Sequence, residues 1–147
     1  MPLPTIAIAA DHAGFALKEI LVRELGPLAN FTDCGPYNTE RVDYPDFAAK
    51  ACAEITGGRA ELAILICGSG LGMSIAANKI NGIRAAHSES TFTAQLAREH
   101  NDANVLCLGE RVTGPGLAVA MARAWLTATF ETRHQNRIDK VHALEQK

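Results

Sequence analysis

The order of apolar and helical segments predicts an α/β fold: one open, mostly parallel five-stranded sheet with helices on both faces. Three observations carry this reading. The apolar runs TIAIAA, ELAILI and NVLCL are short and nearly unbroken, as expected of strands buried on both faces. Segments with helical periodicity separate them from one end of the chain to the other. The loops between are short, and the chain carries no internal repeat, linker or low-complexity tract. The architecture expected is Rossmann-like.

Taken in order, a strand is predicted over 5–10 and an amphipathic helix from about 14 to 25. A weaker strand follows over 30–34, then a helix over 45–56 with Pro45 in its first turn. The clearest buried strand, 61–66, runs into Cys67-Gly68-Ser69-Gly70-Leu71-Gly72 and an Ala-rich helix over 73–79. A fourth strand is predicted over 83–86, a helix over 90–99 and a fifth strand over 104–108. Helices over 116–127 and 132–146 complete the expected set.

The 147 residues suffice for one compact domain, 1–147, with a core of its own. A formal net charge of −2 argues against a nucleic-acid partner, which would need clustered excess Lys and Arg. No run approaches the roughly 20 apolar residues that span a bilayer, and the Met-Pro-Leu-Pro-Thr-Ile start lacks the pattern of a signal peptide. Cys34, Cys52, Cys67 and Cys107 are widely spaced and form no Cys-x-x-Cys pair, which argues against a zinc site and a disulfide framework. The expectation is a cytoplasmic protein with reduced thiols, no membrane partner and no metal.

In open parallel sheets, ligands sit beyond the carboxyl ends of the strands. That rule singles out Asp11 and His12, Asp43 and Tyr44, Cys67 to Gly72, His87, and Gly109 to Arg111. The glycines of the 67–72 loop let the backbone turn tightly and gather N–H groups at one spot, which favours an anion. The plain alternative is a turn that binds nothing. The loop lacks the Lys-Ser/Thr of a nucleotide-hydrolase P-loop, and Met73 replaces the last glycine of a dinucleotide fingerprint. Cys67 lifts the loop above a mere turn, because a helix start beside the sulfur favours the thiolate. Cys34, Cys52 and Cys107 read as small hydrophobic residues.

Asp11 can cap the first helix or face the cleft with His12. His100 and Asn101, at a helix end, can satisfy terminal carbonyls. His87, followed by Ser88 and Glu89, reads as part of an ordinary helix cap. Arg133 and Arg137 are four apart, so one helix would present both to a phosphate dianion, with no acid between them on that face. Arg111 could add a third positive charge. The plain alternative for the Arg pair is a solvated surface helix.

Together, Asp11-His12-Ala-Gly, Cys67-Gly-Ser-Gly-Leu-Gly-Met-Ser-Ile-Ala-Ala-Asn-Lys79, His100-Asn-Asp-Ala-Asn-Val and Arg133-His-Gln-Asn-Arg137 resemble the type B ribose-5-phosphate isomerases. That family includes galactose-6-phosphate isomerase subunits and allose-6-phosphate isomerases. The likeness spans essentially the whole chain.

The resemblance implies an aldose–ketose isomerase interconverting ribose 5-phosphate and ribulose 5-phosphate through a cis-enediolate, without cofactor. Members use as base either a Cys at the position of Cys67 or a Glu at that of Met73, so this chain resembles the thiol branch. Gly68, Gly70, Leu71 and Gly72 would hold the enediolate; Ser69 and His100 would open the sugar ring. Asp11, Tyr44 and Asn101 would contact the sugar, and His12, Arg111, Arg133 and Arg137 the phosphate. The partner implied is a small phosphorylated sugar, and the assembly a homodimer or homotetramer with sites at the subunit interface. Rival readings are isomerisation of allose 6-phosphate, galactose 6-phosphate or a tetrose phosphate, one subunit of a hetero-oligomer, a non-catalytic phosphosugar binder, and a dinucleotide-dependent oxidoreductase.

Overall fold

The computed structural model describes residues 2–145. Its strands are β1 Thr5–Ala10, β2 Asn30–Asp33, β3 Leu62–Cys67, β4 Ala85–His87 and β5 Val105–Gly109. They form one all-parallel sheet in the order β2-β1-β3-β5-β4. The helices are α1 Phe15–Leu25, α2 Tyr44–Thr56, α3 Leu71–Ala77, α4 Thr91–Glu99, α5 Pro115–Thr127 and α6 Gln135–His142. The α/β architecture expected from the sequence is the one observed.

Apolarity sets the strand order. Every residue of β3 and β5 is buried, as is all of β1 beyond Thr5, and these three strands take the centre. The edges are taken by β2, which is exposed at Asn30 and Thr32, and by the short, half-buried β4. One face carries the bulk: Ile6, Ile8, Ile64, Ile66, Leu106 and Leu108 pack with Leu17 and Leu21 of α1 and Met121 and Trp125 of α5. The buried Trp125 donates from Nε1 to the Ala103 carbonyl at 3.2 Å, so its one polar atom is satisfied. On the other face Ala7, Ala9 and Ala63 meet Ala48, Ala51 and Cys52 of α2. Each fully buried Leu, Ile or Met contributes about 1.5–3 kcal/mol of transfer free energy.

The register makes the strand ends level where it matters. Ala10 pairs with Ile66 and Cys67 with Gly109, so Asp11, Cys67 and Glu110 leave the sheet side by side. From β1 the chain passes to β2 on one side and later to β3 on the other. The crevice at the carboxyl ends of β1 and β3 is therefore the switch point where such sheets bind ligands.

Several boundaries differ from the sequence reading. Cys67 is the last residue of β3, not the first of the loop. The helix after the loop starts at Leu71, because Gly70 adopts φ +83° and takes the N-cap position. His87 belongs to β4, and Ser90 caps α4 through a 3.1 Å hydrogen bond from the Thr93 N–H. The C-terminal segment is a 3₁₀ turn, Thr132–His134, followed by α6 ending at His142. The expected helix end at Gln146 lies outside the described residues.

Candidate active site

A cleft of about 350 Å³ opens at the switch point, lined by Asp11, Tyr44, Cys67, Gly68, Ser69, Gly72, Arg111 and Val112. Five connections place these residues. The Asp11 N–H donates to the Ile66 carbonyl at 3.1 Å, locking the exit of β1 to that of β3. The N–H groups of Glu110 and Arg111 donate to the carbonyls of Cys67 and Gly68, each at 3.0 Å, extending the β3–β5 ladder into the loop. A Cβ on Gly68 would sit 3.2 Å from Arg111 Nη1, so the guanidinium lies against the loop. A Cβ on Gly72 would sit 2.5 Å from the Tyr44 ring, which packs on that glycine.

Cys67 is 5 % exposed and its sulfur accepts the Gly70 N–H at 3.1 Å. A sulfur accepts such a backbone N–H more strongly as an anion than as a neutral thiol, so the donor is placed to bond a thiolate when one forms. Ser69 Oγ accepts the Leu71 N–H at 3.2 Å. The other cysteines differ. Burial pushes the Cys52 thiol up to about 12 and raises Cys107 well above the ordinary value; it also raises Cys34. They remain protonated near neutrality and pack as small hydrophobic groups, Cys34 only partly buried.

Asp11 does not cap α1, whose N-cap is Gly14. Its Oδ1 instead accepts the N–H groups of Ala13 (2.9 Å) and Gly14 (3.1 Å), closing the turn that leads into the helix. The α1 donor at Leu17 goes to Glu110 Oε1 at 2.6 Å, a link across the cleft wall. His12 does not line the cleft; its Nδ1 lies 3.2 Å from the Val42 carbonyl and amide. Leu71 is 54 % exposed at the loop's outer edge.

His100, Asn101, Arg133 and Arg137 are not brought to this cleft. His100 caps the end of α4, before β5, and so lies at the amino end of the sheet. A five-residue strand separates the two ends by roughly 16 Å. His100 stacks on His134 with ring centroids 4.5 Å apart. Glu131 joins them: its N–H donates to the Glu99 carbonyl at 2.9 Å, and Oε2 lies 3.8 Å from His100 Nε2 and 3.5 Å from His134 Nε2. Asn101 lines a separate groove with Arg84, Ile138 and Val141.

The expected Arg pair on one acid-free helical face is corrected here. Arg133 sits in the 3₁₀ turn and pairs with Glu131 at 2.8 Å, while Arg137 is on α6. Arg137 Nη1 lies 2.9 Å from His134 Nδ1. A guanidinium only donates, so Nδ1 accepts and a neutral His134 carries its proton on Nε2. His100, Glu131 and His134 offer ligand atoms within 4.8 Å of one another. In this tautomer the buried Nε2 faces Glu131 Oε2 at 3.5 Å without a formed hydrogen bond, and no other partner among the described residues reaches it.

The sequence profile described as Ribose/Galactose Isomerase matches residues 6–141. The chain belongs to that family. It is 45% identical to the ribose-5-phosphate isomerase B of Escherichia coli, over 97% of each chain. It is equally close, at 45% and 97% of each chain, to a putative sugar phosphate isomerase of Bacillus subtilis. The solved type B ribose 5-phosphate isomerase of Trypanosoma brucei superposes with a TM-score of 0.94 at 45% identity, covering 98% of this chain and 100% of that one. The Clostridium thermocellum ribose-5-phosphate isomerase B gives 0.93 at 44% identity, covering 95% and 96%. As a member of this isomerase family the chain is an aldose–ketose isomerase.

The strand-end rule singled out Glu110 and His87 without their partners, and Glu131 escaped it. Glu110 bonds the Leu17 N–H, 93 residues away, and Glu131, just before the 3₁₀ turn, meets His100 from beyond β5 and α5, separations that no local pattern encodes. His87 does not cap a helix; its Nε2 reaches the Ser69 carbonyl at 2.8 Å.

Proposed function

We propose that the chain interconverts ribose 5-phosphate and ribulose 5-phosphate, with Cys67 as the base. The observation that supports this most is the Cys67 sulfur, set in the cleft at the switch point with a backbone N–H aimed at it. Met73, at the family's alternative base position, is fully buried in the core and carries no basic atom.

The thiolate removes the proton from C2 of the open-chain aldose. The C2–H electron pair forms the C1=C2 bond, and the carbonyl π pair moves onto O1, giving the cis-enediolate. A proton passes from the C2 hydroxyl to O1, and the Cys67 S–H then returns its proton to C1 as the C2 oxygen becomes the ketone, leaving the thiolate as it began. The Arg111 charge and the loop N–H groups of Gly68, Ser69 and Gly72, as distinct from those of Gly70 and Leu71 that bond Cys67 Sγ and Ser69 Oγ, stabilise the oxyanion, the type of preorganised donation that often dominates such catalysis. A single thiol serves both transfers because C1 and C2 are neighbours on one face of the enediol.

The sugar's ring-opening group and phosphate anchors come from a second copy of the chain. His100, Asn101, Arg133 and Arg137 lie at the sheet end opposite Cys67 within one chain, so a homodimer is the smallest assembly that unites them. His100 would move the ring-opening proton, and the arginines would hold the remote phosphate so that its binding energy positions C1 and C2. The test is turnover in deuterated water on ribose 5-phosphate, with allose 6-phosphate, galactose 6-phosphate and erythrulose 4-phosphate in parallel. Solvent deuterium at C1 of ribulose 5-phosphate is expected. Turnover of another sugar alone would reassign the substrate, and silence on all would contradict the isomerase reading.

A further inference from the structure

His87 ends β4 and directs its ring at the back of the Gly-rich loop. Nε2 lies 2.8 Å from the Ser69 carbonyl oxygen. A carbonyl only accepts, so Nε2 carries the proton. Glu89 Oε1, at 3.8 Å from the same nitrogen, is too far to compete for that hydrogen bond.

The Ser69 carbonyl belongs to the same peptide unit as the Gly70 N–H, the group that donates to Cys67 Sγ at 3.1 Å. That unit is trans, since the cis bond among the described residues is Gly35–Pro36. In a trans peptide C=O and N–H point in opposite directions within one plane. Holding the oxygen on the His87 side therefore holds the hydrogen on the sulfur side.

We propose that His87 is a positioning residue for Cys67, acting through the Ser69–Gly70 peptide. Its catalytic meaning rests on Cys67 being the base, as set out above. The hydrogen bond has two effects. It fixes the peptide against rotation, to which Gly70, at φ +83° and without a side chain, offers little resistance. It also polarises the amide, which strengthens the donation of its N–H to a thiolate. A flipped peptide would turn the carbonyl oxygen toward the sulfur and disfavour the anion.

The surrounding packing leaves this role to His87. A Cβ on Gly70 would lie 2.7 Å from His87 Cδ2 and 2.9 Å from the Leu108 carbonyl carbon, so ring and strand press on that residue. From below, Gly109 abuts the Ser69 backbone, where a Cβ would come within 2.4 Å of its carbonyl carbon. The other titratable groups near the sulfur are Asp11 after β1, Tyr44 at the start of α2, Arg111 after β5 and Cys107 within β5. None of them is bonded to the Ser69–Gly70 peptide.

The experiment compares wild type with His87→Leu and His87→Gln by the rate of iodoacetamide alkylation at Cys67, read on its own peptide by mass spectrometry across pH. Thermal unfolding controls for folding. The Leu variant should alkylate about three- to tenfold more slowly at pH 7, with its rate profile displaced to the alkaline side. The Gln variant keeps an N–H donor of similar reach and should regain most of the rate. In turnover, the Leu variant should lose kcat with KM little changed. A wild-type alkylation profile in the Leu variant would overturn the proposal, as would equal slowing in Leu and Gln. Should His87→Leu fail to fold, His87→Phe keeps the ring volume without the donor and takes its place. Alkylation needs no sugar, so this outcome is separate from whether Cys67 proves to be the catalytic base.

Discussion

At the scale of single residues, the cleft depends on contacts too close for any side chain. Gly109 is one such point: the Ser69 backbone occupies the space a Cβ would need. Gly109→Ala should destabilise the fold by about 1–3 kcal/mol, the usual cost of overpacking, with loss of activity as the loop shifts. Chemical denaturation alongside turnover measures both. Cys67 was legible from sequence because it combines a strand end with a Gly-rich turn. Its donor was not legible, because the 3.1 Å contact from Gly70 depends on a left-handed φ and on His87, which is distant in sequence.

At the scale of elements, the 3₁₀ turn Thr132–His134 joins the end of α5 to α4 through the Glu131–Glu99 bond and the His100–His134 stack. Burial, then the Arg133 charge, holds His134 below the ordinary imidazole value. The unfolded chain takes up that proton at about pH 6.5, whereas the folded one resists it to lower pH. The stability tied to neutral His134 is thus complete above about pH 6.5 and declines as the pH falls toward the folded value. Unfolding midpoints should drop between about pH 7 and pH 5, and drop less in His134→Gln. An identical pH slope in both proteins would refute this. The strands and most helices were legible because burial follows apolarity. The break at 132–134 was not, because it arises from tertiary contacts of Glu131 and His134.

At the scale of the whole molecule, the parallel sheet puts the thiol and the His100 cluster at opposite ends of one chain. Order along the sequence revealed both groups, but only the topology shows that they face apart. A site shared between copies predicts complementation. Cys67→Ala and His100→Ala should each be inactive alone, and co-folding the two should restore activity through mixed dimers that hold one intact site. No recovery from verified mixed dimers would place each site within a single chain. The most direct test of the central claim is turnover of ribose 5-phosphate by wild type and Cys67→Ala side by side, each shown to be folded and to bind the sugar phosphate. The account predicts rapid isomerisation by the wild type and loss of it in the variant. Turnover by Cys67→Ala at the wild-type rate would contradict the thiol as base.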